Sequence, residues 1–193
     1  MKLFLCAFFV LSSLLSTQVF ANWILMPEQS NLSFVSIKKS SVGEVHHFQN
    51  LLGEVLETGE VNLIIDLKSV KTGIEIRDER MKQFLFAVTQ FPTAKISTNI
   101  DEKVIGSMKV GAIKSLPVEL NIDLHGAEVK KTAHLRVVKL SPDSIFVVTE
   151  KPLIINAKDF GMSEGVAKLQ QLAGLPSIDD VVPVSFNAVF QKP

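Results

Sequence analysis

The chain has 193 residues, 47% of them hydrophobic, and its 20 basic side chains are matched by 20 acidic ones. That balance excludes the basic excess or stripe of a nucleic-acid footprint, and it gives no pull toward anionic membrane surfaces. A single cysteine, Cys6, excludes an intrachain disulfide.

Met1 and Lys2 precede an apolar run from Leu3 to Val10 that continues through Leu11, Leu14 and Leu15 to Val19-Phe20-Ala21. One positive charge, a short apolar core and small residues at Val19 and Ala21 describe a secretory signal peptide over residues 1–21, cleaved after Ala21. The uninterrupted run falls short of the roughly 20 residues a membrane span needs. Too little apolar sequence precedes Cys6 for a lipoprotein acylation site. The expectation is export to a bacterial periplasm or beyond. Residues 22–193 then form one cysteine-free domain, because no linker or internal repeat divides them.

Within that domain period-two alternation dominates, and each such run implies a strand with one apolar and one polar face. Val61, Leu63, Ile65 and Leu67 alternate with Asn62, Asp66 and Lys68, interrupted only by Ile64. Four consecutive charges follow at Arg77-Asp78-Glu79-Arg80, ahead of Phe84-Leu85-Phe86, in a short helical connection near residues 74–86. Ala94, Ile96 and Ile100 then alternate with Thr93, Lys95, Ser97 and Asn99. A turn at Gly126-Ala127 would pair Leu124 with Val129, Leu120 with Ala133, Val118 with Leu135 and Leu116 with Val137. The other face would pair Asp123 with Lys130, Asn121 with Thr132 and Glu119 with His134, and only Lys131 opposite Ile122 spoils the match. Val166, Leu169, Leu172 and Ala173 have helical spacing, with Ser163 as N-cap and Gly174 and Pro176 as stop. Val182, Val184, Phe186, Ala188 and Phe190 form a last alternating strand. Many strands with one such helix predict a mainly β fold, an antiparallel barrel with one end or flank covered.

Candidate chemistry is sparse. Gly161-Met162-Ser163-Glu164-Gly165 matches the G-x-S-x-G nucleophile elbow, which needs a strand running into the turn and a later histidine. All four histidines (His46, His47, His125 and His134) precede Ser163, and Asn156 to Phe160 reads as loop, so a hydrolase is a remote third reading. Adjacent His46 and His47 point to opposite faces of a strand, and surface histidines satisfied by neighbours account for all four; no metal site is expected. Asp78 and Glu79 diverge on a helix or a strand and make no acid/base pair. Arg77 and Asp78 are either solvated with local ion pairs or turned inward, pinning the connection to a sheet rim.

At this stretch the chain resembles the YceI-like family of exported polyisoprenoid-binding proteins. The resemblance runs through Thr72-Gly73, Arg77-Asp78, Phe84-Leu85-Phe86, Val88 and Phe91-Pro92, with Gly53 and Gly59 before them. It continues through Leu124-His125-Gly126, Phe160-Gly161 and Val182 to Phe186. Two positions depart from the family pattern. The Asp-x-x-His-Ser that often follows the first tryptophan is Met26-Pro27-Glu28-Gln29-Ser30, and Arg80 stands where a histidine commonly follows R-D-x.

The resemblance implies a lipocalin-like barrel enclosing a long isoprenoid chain, such as a quinone tail, with no cofactor and no catalytic residue. Arg77 and Asp78 become structural pins at the rim, and Arg80 is simply solvated. Phe34, Leu120, Ala133, Leu135 and Phe186 are expected as wall residues, with Phe84, Phe86 and Phe91 closing one end. Small residues such as Ala133, Ala188 and Gly106 would leave room for the ligand. The expected partners are an isoprenoid or quinone-like lipid and transient contacts with membrane or envelope protein. The alternative is an envelope scaffold module whose barrel is filled by its own side chains.

Overall fold

A computed structural model describes residues 23–193, apart from the side chain of Glu102. The leader expected over residues 1–21 lies outside the described residues.

Strands β1 (Trp23–Lys38), β2 (Val42–Phe48), β3 (Leu51–Val55) and β4 (Glu60–Asp66) follow one another, then a short β5 (Val70–Lys71). Helix α1 (Glu75–Arg80) runs into a π-helical turn over Met81–Leu85 and leads to β6 (Thr93–Asn99). Helix α2 (Glu102–Gly106) precedes β7 (Ile113–Leu124), β8 (Ala127–Ser141), β9 (Ser144–Thr149) and β10 (Leu153–Asn156). A 3-10 turn (Ala157–Phe160), α3 (Ser163–Ala173) and β11 (Val181–Gln191) complete the chain.

The hydrogen-bonded order β11-β9-β8-β7-β6-β4-β3-β1 closes on itself through β1 and β11, an eight-strand antiparallel barrel with no free edge around the ring. The alternation read from the sequence places its residues as expected. Leu63, Ile65, Ala94, Ala188 and Phe190 are buried, and outward Ile64 is the exposed exception. β1 is long enough to pair β3 and then β2, bending at an irregularity between Met26 and Asn31. Ser30 stitches that bend, its Oγ donating to Met26 O and accepting from Val189 N.

The β7–β8 hairpin turns one residue earlier than expected, at His125-Gly126, so Leu124 faces Ala127 and Ile122 faces Val129. Both turn residues have positive φ, 55° and 79°, the geometry whose twist matches the flanking strands. The shift preserves every side chain's face while changing its neighbour: Ala133 opposes Val118, Lys131 opposes Leu120, and His134 opposes Pro117 instead of Glu119. Ser163 is likewise the first helical residue of α3 and not its cap; no side chain caps that end, and Ser163 Oγ donates to Asp180 Oδ2 at 3.3 Å. The C-terminus stops at Gly174, φ 61°, as its sequence signals.

The connections cover both ends of the barrel. At one end the π-helical turn packs on α3, backbone against backbone, and Arg80 Nη1 donates to Leu172 O at 3.2 Å. That contact corrects the expectation of a solvated Arg80: it meets a carbonyl left unpaired in the last turn of α3. At the other end Ile105 of α2 is buried. Among the described residues no helix is long and apolar enough to cross a membrane.

Candidate functional site

Inward-facing strand residues would be fully buried in a filled barrel. Here Ile96, Leu116, Leu120, Leu135, Val184 and Phe186 keep part of their surface. They face a hollow of two lobes, about 130 Å³ and about 140 Å³, which expose no polar atom inward. A water molecule needs roughly 10–15 Å³ measured in this way, and packed cores rarely leave more than that. Leu32, Ile96, Leu153 and Val184 border both lobes and form a waist between them. This interior departs from the alternative of a barrel filled by its own side chains.

The first lobe, toward α2, is walled by Leu120, Ala133, Leu135 and Phe186 together with Ile105 and Phe190. The second, toward α1 and α3, is walled by Phe34, Phe48, Phe86, Leu85, Met162 and Val166. Phe84 and Phe91 border neither lobe. Phe84 lies under Lys168 Nζ at 5.9 Å, and Phe91 packs on the hairpin turn with its ring 4.5 Å from that of His125. Ala188 is fully buried without lining the hollow, and Gly106 ends α2 in open space, so it creates no room inside.

A polar cluster holds the rim beside the second lobe. Asp78 is 3% exposed, and its Oδ1 accepts from Thr72 N at 2.8 Å and from Thr72 Oγ1 at 2.5 Å. Arg77 donates to Thr72 O at 2.6 Å and to Glu44 Oε2 at 2.7 Å, while Lys38 reaches the other oxygen of Glu44 at 2.9 Å. The hydrogen bond from Lys38 is the largest influence holding the Glu44 carboxyl below its ordinary value; burial opposes it, and the charges of Arg77 and Lys38 add to the lowering. Arg77 and Asp78 therefore bridge the α1 turn to β2 and to the chain after β5.

His46 corrects the reading of four surface histidines. It is 1% exposed, its Nε2 hydrogen-bonds Ser36 Oγ at 2.8 Å, and its ring meets Phe34 edge-on at 5.2 Å. Burial, reinforced by the nearby Arg77 charge, lowers its pKa from the ordinary 6.5. His46 Nδ1 and Arg77 Nε are both buried without a hydrogen-bond partner in the protein. One signal was available in the sequence: His46 shares strand parity with Phe48, which marks it as inward. Lys139 was missed for a similar reason; it is 5% exposed, with Nζ 4.4 Å from the Trp23 ring and donating to Pro142 O at 2.8 Å. Its burial, with the neighbouring Lys192, lowers its pKa.

The G-x-S-x-G motif is structural. A 3-10 turn, and no strand, runs into it, replacing the loop expected there. Gly161 ends that turn in the left-handed region, φ 66°. A Cβ on Gly165 would lie 2.6 Å from Phe84 O, so glycine permits the close seating of α3 on the π-helical turn. Among the described residues no three His, Cys, Asp or Glu side chains converge as metal ligands.

Comparison with known proteins agrees with this geometry. Among solved structures, a polyisoprenoid binding domain from Saccharophagus degradans implicated in plant cell wall breakdown is 35% identical, with a TM-score of 0.87 over 90% of this chain and 99% of that one. BcnA of Burkholderia cenocepacia is 17% identical, with a TM-score of 0.68 over 86% and 98% of the two chains. The YceI protein of Campylobacter jejuni is 12% identical, with a TM-score of 0.55 over 77% and 84%; these last two likenesses show the fold alone. Curated proteins give no match. The YceI-like domain model matches residues 23–190, essentially the whole barrel, and the chain belongs to the YceI-like family.

Proposed function

We propose that the protein is an exported, non-catalytic carrier or sequestering protein for an isoprenoid lipid, a quinone-like or polyprenyl amphiphile whose tail lies along the two lobes. The observation that carries this reading is the hollow itself, which presents only carbon and is far larger than a packing defect. A tail needs little else. Each buried methylene is worth about 0.8 kcal/mol, so a dozen contribute on the order of 10 kcal/mol before ordering and association costs. Leu120, Ala133, Leu135 and Phe186 would grip one part of the tail, and Phe34 and Phe86 another. Export rests on the charge, apolar core and small residues of positions 1–21. Loading would involve transient contact with a membrane or an envelope protein.

The test is mass spectrometry of organic extracts from natively purified protein, followed by titration with quinones. A co-purifying polyprenyl or quinone species is the expected result. Protein repeatedly free of lipid and unable to bind quinones would overturn the proposal. A mature N-terminus at Asn22 in the periplasmic fraction is the corresponding expectation for export.

A further inference from the structure

The barrel wall is not uniform, and one of its short seams carries a groove of distinctive chemistry. β6 and β7 pair over only three positions, Lys95 with Asp123, Ile96 with Ile122 and Ser97 with Asn121. β6 nevertheless runs on to Asn99, and β7 begins as early as Ile113. Beyond Ser97 one side-chain bond spans the seam, Thr98 Oγ1 donating to Glu119 O at 2.6 Å. An outer groove of about 660 Å³ lies along it.

Thr98, Ile100, Leu116 and Val118 border both this groove and the first lobe of the hollow. In an intact wall alternation keeps inward side chains away from outer grooves, so shared lining marks a place where inside and outside are separated by a thin partition. The second lobe shares no lining residue with this groove, and no side chain of the Arg77-Asp78-Glu44 cluster lines it.

We propose that the β6–β7 groove seats the head group of the bound amphiphile, and that this head is uncharged; the proposal rests on the lipid-binding reading above. Ser97, Asn99 and Asn121 offer hydroxyl and amide groups to a quinone carbonyl or an alcohol. The charged lining is Glu60, Asp101 and Glu119 against one cation, Lys130, which Glu119 already engages at 2.9 Å. That net negative surface repels a phosphate or diphosphate and leaves it no free cation in the groove. A hydroxyl- or carbonyl-bearing prenyl chain meets neither obstacle.

Three probes of one tail length test this on the full barrel: geranylgeraniol, geranylgeranyl diphosphate and a geranylgeranyl ether ending in a benzophenone. The alcohol is expected to bind more tightly than the diphosphate by about tenfold or more, and Asp101→Asn combined with Glu119→Gln should shrink that ratio by roughly threefold or more. Photo-adducts of the benzophenone probe are expected on residues 97–101 and 116–121. Equal or tighter binding of the diphosphate, or adducts confined to residues 36–48 and 72–86, overturns the groove assignment while leaving lipid binding in place. If none of the three probes binds, the lipid-binding reading falls and takes the groove with it.

Discussion

The rim around α1 and the seam between β6 and β7 solve opposite problems in one wall. At the rim Asp78, Thr72, Arg77, Glu44 and Lys38 form a chain of hydrogen bonds and ion pairs that fixes a connection over the second lobe. At the seam a ladder stops after three pairs, and a single threonine hydroxyl continues it. The contrast teaches that closure of the ring and rigidity of the ring are separate properties. A barrel can be stapled where its end is covered and close elsewhere through a short ladder.

The largest effect is expected at the staple. Asp78→Ala removes a buried carboxylate that accepts two bonds from Thr72 and leaves the Thr72 amide without a partner, at a cost of about 3 kcal/mol in urea denaturation. A loss under about 1 kcal/mol would mean that the rim is held by apolar packing and not by its polar chain.

Next comes the hollow, which the seam residues Thr98, Leu116 and Val118 border. Ala133→Phe fills part of the first lobe, so binding of a prenyl or quinone probe should weaken by about tenfold, while Tm falls by only a few degrees because the new ring occupies existing space. Unchanged binding would place the tail elsewhere. At the seam, Thr98→Val keeps the shape of the side chain and removes its bond to Glu119 O. The expected cost is about 1 kcal/mol or less, together with faster exchange of bound probe in stopped-flow displacement. Slower or unchanged exchange would show that ligand does not pass between β6 and β7.

These two regions also differ in how much the sequence disclosed. Period-two alternation in residues 61–67, 93–100 and 182–190 marks the inward faces, because side-chain direction in a strand depends only on parity. The β7–β8 register was wrong while its faces were right, since moving the turn by one residue shifts both strands and preserves parity. Arg77 and Asp78 stood out as charges beside an aromatic cluster, but their partner Glu44 lies on β2, a long-range contact that no local pattern encodes. The seam was invisible for a physical reason. Residues 93–100 alternate cleanly, and nothing local in that pattern says where pairing with β7 ends. Phe84 and Phe91 resembled an end plug because composition cannot tell an aromatic lining a hollow from one packed on a helix or a turn.

The smallest expected effect concerns His46, which packs on Phe34 of the second lobe and feels the charges of the staple. Its folded pKa lies below the ordinary 6.5, first because it is buried and then because Arg77 is near, with Lys38 adding to the shift while Glu44 and Asp78 oppose it. The unfolded chain therefore binds a proton at a higher pH than the folded one. The stability this neutral ring contributes is complete above about pH 6.5 and is lost as pH falls from there through the folded pKa, with a slope under about 1.4 kcal/mol per pH unit, the ceiling for one proton. Glu44, whose pKa is also lowered, acts in a separate window beneath its ordinary 4.5. Chemical denaturation at intervals from pH 7.5 to 5 should show stability declining in the parent protein and a flatter profile in His46→Gln. Equal slopes would assign the loss to groups other than His46 and leave the rim insensitive to mild acid.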